Sequence, residues 1–571
     1  MRRILVLVVA LVFSSVAFPG RAQGILGYDA VHHPVYSRTG MVASQNDTAS
    51  KIGADVLAAG GNAVDAAVAV GFALAVTLPR AGNIGGGGFM LVYDAAADET
   101  VAIDYREMAP IAATRDMFLD AEGNADPDLS RHSHKSAGVP GTVAGLYLAH
   151  RKYGRLPWKR LVQPAADLAR NGFRVSNDLA RKLEQSRARM CRFAAACRYY
   201  FRPGGEPYVA GERLVLADLA DTLQAIADGG ADVFYRGAVA DKIVAEMESG
   251  GGLIDAASLA AYRAVIRKPL RGNYRGFDIA TMPPPSSGGV HLLQMLNILE
   301  HFPVAEMGAG SADEVHLLAE TMRLAYADRS KHLGDADFYP VPVEWLTSKK
   351  YGAELAATID MHKARPSSDV APGVAPRAES MDTTHFSVVD VDGNVVSNTY
   401  TLNLSYGSGI AVDGAGFLLN DEMDDFVSKP GVPNAYGLLG ADANAIEAGK
   451  RPLSSMTPTI VFKDGKPWLA TGSPGGSRII TTVLQVIMNM IDHDMNVAAA
   501  SNAPRIHHQW LPDQLRVEVG LSPDTVSLLS AKGHTVVVMD AMGSTQSVMR
   551  TDAGFFGASD PRRPDALTLG Y

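Results

Sequence analysis

Thr383-Thr-His-Phe-Ser-Val-Val-Asp-Val-Asp-Gly-Asn-Val-Val-Ser-Asn-Thr-Tyr-Thr-Leu-Asn403 is the stretch on which the reading of this chain turns. Two β-prone runs flank Val391-Asp392-Gly393, a triplet suited to a type I turn closed by a left-handed glycine. With that three-residue loop Asp390 pairs with Asn394, and counting outward sets Thr383 opposite Thr401. One face then carries Thr383, His385, Ser387, Ser397, Thr399 and Thr401. The other carries Thr384, Phe386, Val388, Val396, Asn398, Tyr400 and Leu402, so the strand pair reads as half-buried. A two-residue Asp392-Gly393 turn shifts the pairing by one and sends Thr383 and Thr401 to opposite faces. The polar pattern within each strand does not choose between the two.

The texture changes on either side of Thr383. Residues 361–382 contain Pro366-Ser367-Ser368, Pro372-Gly373 and Pro376 with little apolar periodicity, the composition of an exposed, mobile connection. Upstream, helical patterns dominate: 63–77, capped by Asn62 and stopped by Pro79, then 161–171, 214–228, 239–249, 290–299 and 312–328. A shorter helix carrying Ile52 and Val56 starts at Asp47 or Thr48 as cap. Strand-like runs at 90–93, 100–104 and 277–282 are interspersed with them. Downstream the chain is β-rich, with runs at 385–389, 395–402, 459–462, 468–471, 515–518, 535–539 and 547–551.

The 571 residues carry 47% hydrophobic and 20% charged side chains, ordinary for a folded protein. A net charge of −9 without a basic, aromatic-interleaved stretch argues against nucleic acid and for a small-molecule substrate. Arg2 and Arg3 precede an apolar run to Phe18 and small residues at Gly20 and Ala22, the form of a secretory signal, 1–22, cut after Ala22. An uncleaved anchor is the competing reading, but the run is short for a span. The mature chain is expected in the periplasm or outside the cell, with no membrane span. Cys191 and Cys197, the two cysteines present, either close a small disulfide loop or stay as separate buried thiols.

The octet Thr383-Thr-His-Phe-Ser-Val-Val-Asp390 followed by Gly393-Asn394 resembles the processing-site motif of γ-glutamyltransferases, also called glutathione hydrolases, of bacterial type. The likeness runs over nearly the whole mature chain. It includes Ala81-Gly-Asn-Ile-Gly-Gly-Gly-Gly-Phe89, Asp104-Tyr-Arg-Glu-Met-Ala-Pro110 and Pro283-Pro-Pro-Ser-Ser-Gly-Gly289. Arg451-Pro-Leu-Ser-Ser-Met456 and Gly472-Ser-Pro-Gly-Gly-Ser-Arg478 follow in the same order. The resemblance implies an α+β fold, a four-layer αββα sandwich of the N-terminal-nucleophile hydrolase type. It further implies self-cleavage between Asp382 and Thr383, giving a large subunit (23–382) and a small catalytic subunit (383–571) that stay together as a heterodimer.

That chemistry suits the residue types. A freed Thr383 carries its hydroxyl beside an α-amine whose pKa lies near 7.7–8.0, so base and nucleophile share one residue. His385 is then unnecessary as a base and reads as structural. By the same resemblance Thr401 orients Thr383, and the backbone N–H groups of Gly475 and Gly476 receive the oxyanion. Arg106 forks onto the α-carboxylate of a γ-glutamyl group with Ser454 and Ser455 beside it. Asn403, Glu422 and Asp425 accept from the α-ammonium, and Tyr436, in the loop 430–437, covers the site. Read alone, Arg106 and the acidic pair would pass for an ordinary surface ion pair. The Gly85–Gly88 run lacks a dinucleotide context and reads as a close-packed turn. Ser286-Ser287-Gly288-Gly289 and His507-His508 are assigned to packing, since a two-His metal site wants a third ligand.

Glutathione and related γ-glutamyl compounds are thus the expected donors, water and amino acids or peptides the acceptors, with no cofactor or metal required. Two other readings stay open. One is a related acylase acting on glutaryl or cephalosporin side chains. The other is an uncleaved, non-catalytic periplasmic binding protein.

Overall fold

The computed structural model describes residues 31–370 and 383–571. The signal segment, Asp382 and residues 371–382 of the connection lie outside them.

Two antiparallel sheets of seven strands each form the centre. The first runs Leu567–Gly570, Met41–Ser44, Thr383–Val389, Val395–Thr401, Gly87–Asp94, Glu99–Tyr105, Val265–Arg267. The second runs Val35–Ser37, Gly554–Ser559, Gln546–Thr551, Lys466–Thr471, Thr459–Lys463, Phe277–Thr281, Leu270–Tyr274. Both mix strands from before and after residue 383.

Alternation along each strand sorts the layers. Val42, Met90, Val92, Phe386, Val388 and Val396 point outward and share a core with helices Ala63–Thr77 and Thr142–Tyr153. Met41, Ala43, Phe89 and Leu91 point inward against Ile460, Ala470 and Val548 of the second sheet. Behind that sheet lie helices Gly288–Leu299 and Arg478–Ile491. Helix, sheet, sheet, helix is the expected αββα order.

Helix Ala63–Thr77 is buried on every side, and its small residues let it lie close to the sheet. Asn62 and Asp65 close a capping box at its start. Asp390, at the hairpin turn, adds its carboxylate to the Ala63 N–H at 2.8 Å, where the helix dipole favours negative charge. The helix before it, Asp47–Ala58, is capped by Asn46, not by Asp47 or Thr48: the Asn46 side chain accepts from the Ala49 N–H. Three consecutive residues there are competent caps, and the chain direction selects the first.

The hairpin has the three-residue register, with Thr383 opposite Thr401 and Val389 opposite Val395. Gly393 at φ 91° closes the turn. Neither face is exposed, so the half-buried expectation is corrected. The polar face lies between the sheets, where Ser397 Oγ donates to the Thr471 carbonyl and accepts from the Thr459 N–H. A second sheet in place of solvent explains why that face is rich in hydroxyls rather than charges.

The connection before Thr383 is less free than its composition suggests. Ser367 N–H donates to Asp513 at 2.8 Å, and Trp510 Nε1 donates to the Ser367 carbonyl at 3.0 Å. Lys532 donates to the Met361 carbonyl at 2.6 Å. Residues 361–370 are therefore fastened to the later part of the chain. Cys191 and Cys197 form a disulfide, which decides between the two readings of these residues. Among the described residues no helix is long and apolar enough to cross a membrane.

Candidate active site

Thr383 begins a central strand of the first sheet, and its side chain faces the inter-sheet space at 3% exposure. Its Oγ1 lies 3.2 Å from Thr401 Oγ1. Thr401 also accepts the Asn403 N–H at 2.9 Å. Gly86 packs behind Thr401 so closely that a Cβ there would sit 1.9 Å from the Thr401 carbonyl oxygen. The glycine run at 85–88 is thus close-packed, as read, and its last two residues open the strand Gly87–Asp94.

The two threonines line a narrow cleft together with Arg106, Asn403, Glu422, Asp425, Tyr436, Ser454, Ser455 and Gly476. Eleven of the twelve residues singled out from the sequence are accounted for by this cleft and by Gly475 next to it; the twelfth, Asp382, lies outside the described residues. Arg329, Leu438, Met456 and Ile479 complete the lining and were not anticipated. Arg329 sits in the last turn of helix Ala312–His332, where a basic residue looks like ordinary complement to the helix dipole.

Arg106 is 1% exposed, so the surface ion pair it resembles in sequence is a buried one. Its guanidinium donates to Glu422 and, at 2.6 Å, to Asp425, with Glu107 at 3.5 Å. Nε donates to the Pro452 carbonyl at 3.2 Å. Burial pulls this guanidinium's pKa down, but the three carboxylates outweigh it and raise the pKa. Burial pushes Glu422 well above the ordinary carboxylate range, Asp425 upward, and Glu107 up to about 7. One cation therefore serves a crowded acidic group, and the carboxylate-binding and ammonium-binding sets expected as separate are joined through Arg106.

Asn403 adopts a left-handed conformation, φ 75°, which asparagine tolerates. Its Nδ2 donates to the Asp421 carbonyl at 3.0 Å, leaving Oδ1 buried without a partner among the described residues. Gly475 and Gly476 have φ of 134° and 55° and lie just before Ser477, the N-cap of helix Arg478–Ile491. Neither amide N–H has an acceptor among the described residues. Two donors at a helix N-terminus make a place for developing negative charge. Tyr436 lies over Gly476, where an added Cβ would come within 2.2 Å of its ring. Its hydroxyl donates to the Asn403 carbonyl at 2.6 Å, and Asn434 ties the same loop to Asp425 at 2.9 Å.

His385 is buried between Thr399 (2.8 Å) and Ser387 (3.0 Å), and burial lowers its pKa to about 3. It is a neutral member of the inter-sheet seam. His507 and His508 point to different partners, Thr481 and Gln509 for one, Asp513 and Arg323 for the other. A group of metal-ligating types does occur elsewhere, His316, Glu320 and His534. Its atoms are engaged with one another and with neighbours: His316 with His534 at 2.7 Å, Glu320 with Arg323.

With this geometry in view, comparison with known proteins is decisive. The profile of the gamma-glutamyltranspeptidase family matches residues 49–569. The chain belongs to that family. It is 56% identical over 561 residues to the glutathione hydrolase proenzyme of Escherichia coli (strain K12), covering 98% of this chain and 97% of that one. Among solved structures, cephalosporin acylase from Bacillus halodurans superposes with a TM-score of 0.84 at 28% identity, over 98% and 99% of the two chains. Helicobacter pylori gamma-glutamyltranspeptidase gives 0.58 at 46% identity, over 59% of this chain and 97% of the other. The chain is an enzyme of the N-terminal-nucleophile hydrolase architecture.

Proposed function

We propose that this enzyme cuts its own chain between Asp382 and Thr383 and then transfers γ-glutamyl groups from glutathione and related donors through an ester on Thr383. The observation that carries the reading is the Thr383–Thr401 hydroxyl pair at 3.2 Å in a cleft shared with Arg106, Ser454 and Ser455. The Thr383 hydroxyl attacks the γ-carbonyl carbon while the residue's own α-amine takes the proton. The carbonyl oxygen becomes an oxyanion facing the Gly475 and Gly476 N–H groups. Collapse expels the donor's amine, which leaves with the proton, and the ester remains. Water, or the amine of an amino acid or peptide, then attacks that ester and restores the hydroxyl. Every group needed is supplied by side chains and backbone.

The donor's α-carboxylate is assigned to Arg106, Ser454 and Ser455. Its α-ammonium goes to the buried Asn403 Oδ1, with Glu422 and Asp425 beside it. Tyr436 closes over the bound group. The large subunit would comprise 23–382 and the small subunit 383–571, after loss of residues 1–22, in the periplasm or outside the cell. The Cys191–Cys197 disulfide supports an oxidising compartment. That the Escherichia coli relative is a proenzyme supports the cut.

Mass spectrometry and a denaturing gel of wild type and Thr383→Ala, with a chromogenic γ-glutamyl anilide, test the reading. Two fragments and anilide release are expected for wild type, one intact chain without release for the variant. An acylase reading is kept in view by the Bacillus halodurans likeness. Release from glutaryl but not γ-glutamyl anilide would establish it instead.

A further inference from the structure

Two guanidinium groups line the cleft, and they differ in company. Arg106 is ringed by Glu107, Glu422 and Asp425. Arg329, 5% exposed, has no carboxylate within 4.0 Å among the described residues. Its two hydrogen bonds go to hydroxyls: Nε to Ser287 Oγ at 2.9 Å and a terminal nitrogen to Ser455 Oγ at 3.1 Å. A buried cation without a counter-ion is costly unless an anion reaches it from elsewhere.

The direction of those bonds matters. A guanidinium only donates, so both serine oxygens must accept. Ser287 passes its own proton to the Ser454 carbonyl at 2.7 Å, and the Ser287 N–H reaches the same oxygen at 2.8 Å. Ser455 has no acceptor for its proton among the described residues, and its side chain faces the cleft. The Ser287-bearing motif, assigned to packing from sequence, thereby holds the Ser454–Ser455 segment in place.

We propose that Arg329 is a positioning and specificity residue for the donor's α-carboxylate: it turns the Ser455 hydroxyl proton into the cleft and supplies a second positive charge that no carboxylate among the described residues contacts within 4.0 Å. This rests on the γ-glutamyl reading above and deepens it. Burial lowers the Arg329 pKa to about 10, which leaves the group charged at neutral pH.

The test compares γ-glutamyl anilide with its α-carboxamide counterpart, in which the anion is replaced by a neutral amide. Arg329→Gln should raise KM for the charged anilide by about tenfold or more while kcat stays within threefold. KM for the carboxamide should change less than twofold. Arg329→Lys, which keeps charge but loses the second hydrogen bond, should show a smaller rise confined to the charged anilide, and it serves where the Gln variant fails to fold. Combining Arg329→Gln with Ser455→Ala should cost less than the product of the single effects, since both act through one hydroxyl. Equal KM changes on both anilides, an unchanged Lys variant, or a fully multiplicative double variant would overturn this proposal alone. Wild-type enzyme inert toward the γ-glutamyl anilide would overturn the underlying reading with it.

Discussion

Thr383 and Thr401 meet hydroxyl to hydroxyl across one hairpin, and the second of them also anchors the backbone N–H of Asn403. Thr401 thus couples Thr383 to the loop that carries a buried amide oxygen without a partner among the described residues. Thr401→Val keeps the shape and removes the coupling. It should slow anilide turnover by about 10–100-fold, ~1.4–3 kcal/mol in activation free energy, while Thr401→Ser stays near wild type. Steady-state kcat decides, and a valine variant within twofold of wild type would defeat the orienting role.

Arg106 makes a flat fork that meets two carboxylates and two backbone carbonyls at once. Lysine carries the charge but cannot reproduce the fork. Arg106→Lys should raise the donor KM more than tenfold and lower stability by about 1–3 kcal/mol. Donor titrations and thermal unfolding report the two effects. An unaltered KM would remove Arg106 from the substrate set.

Glu107 gives a pH signature. Burial lifts its pKa from an ordinary 4.5 to about 7, so between those values the folded chain keeps a proton that the unfolded chain has released. Its stabilising contribution is full below pH 4.5 and is lost as pH rises through 7. Glu107→Gln should therefore match wild type near pH 4 and exceed it by about 2–4 kcal/mol at pH 8. Melting curves across that range check the sign. A variant less stable than wild type at pH 8 would show that Arg106 needs this carboxylate ionised.

The Tyr436 hydroxyl latches its loop through a hydrogen bond to the Asn403 carbonyl. Tyr436→Phe loses about 1 kcal/mol of that closure and should raise donor KM several-fold without a comparable loss of thermal stability. Wild-type KM in the phenylalanine variant would mean that ring packing over Gly476 and the Asn434–Asp425 bond keep the loop shut without the hydroxyl.

The Cys191–Cys197 bond closes a short loop, for which chain entropy gives about 2 kcal/mol. Reduction should lower the melting temperature and leave kcat unchanged, because no residue of the loop lines the cleft. A parallel fall in kcat would instead link this loop to the site through Arg189, which donates to the Gly407 and Ser405 carbonyls.

What sequence could reveal depended on locality. The hairpin was legible because Val391-Asp392-Gly393 is a turn with a mechanism, though sequence left its register open between a two- and a three-residue loop, and helix Ala63–Thr77 because Asn62 and Asp65 form its cap within four residues. The short strands Val35–Ser37, Met41–Ser44 and Leu567–Gly570 were not anticipated. Their pairing is long-range: Met41 meets Gly570. Local alternation carries little signal over three or four residues. The cleft divides in the same way. Motifs pointed to Arg106, Ser454 and Ser455 one by one, but only tertiary packing brings Arg106 onto Glu422 and Asp425, or Arg329 onto Ser287 and Ser455. The full burial of the hydroxyl-rich hairpin face follows from a second sheet that no single segment announces.

In both sheets strands from before residue 383 pair with strands from after it: Met41–Ser44 lies against Thr383–Val389, and Phe277–Thr281 against Thr459–Lys463. Once severed at that residue, the two polypeptides could not part without unzipping ladders through the middle of the molecule. Differently tagged enzyme populations, matured and then mixed, would keep their original halves until denatured, so maturation is a commitment that dilution cannot reverse.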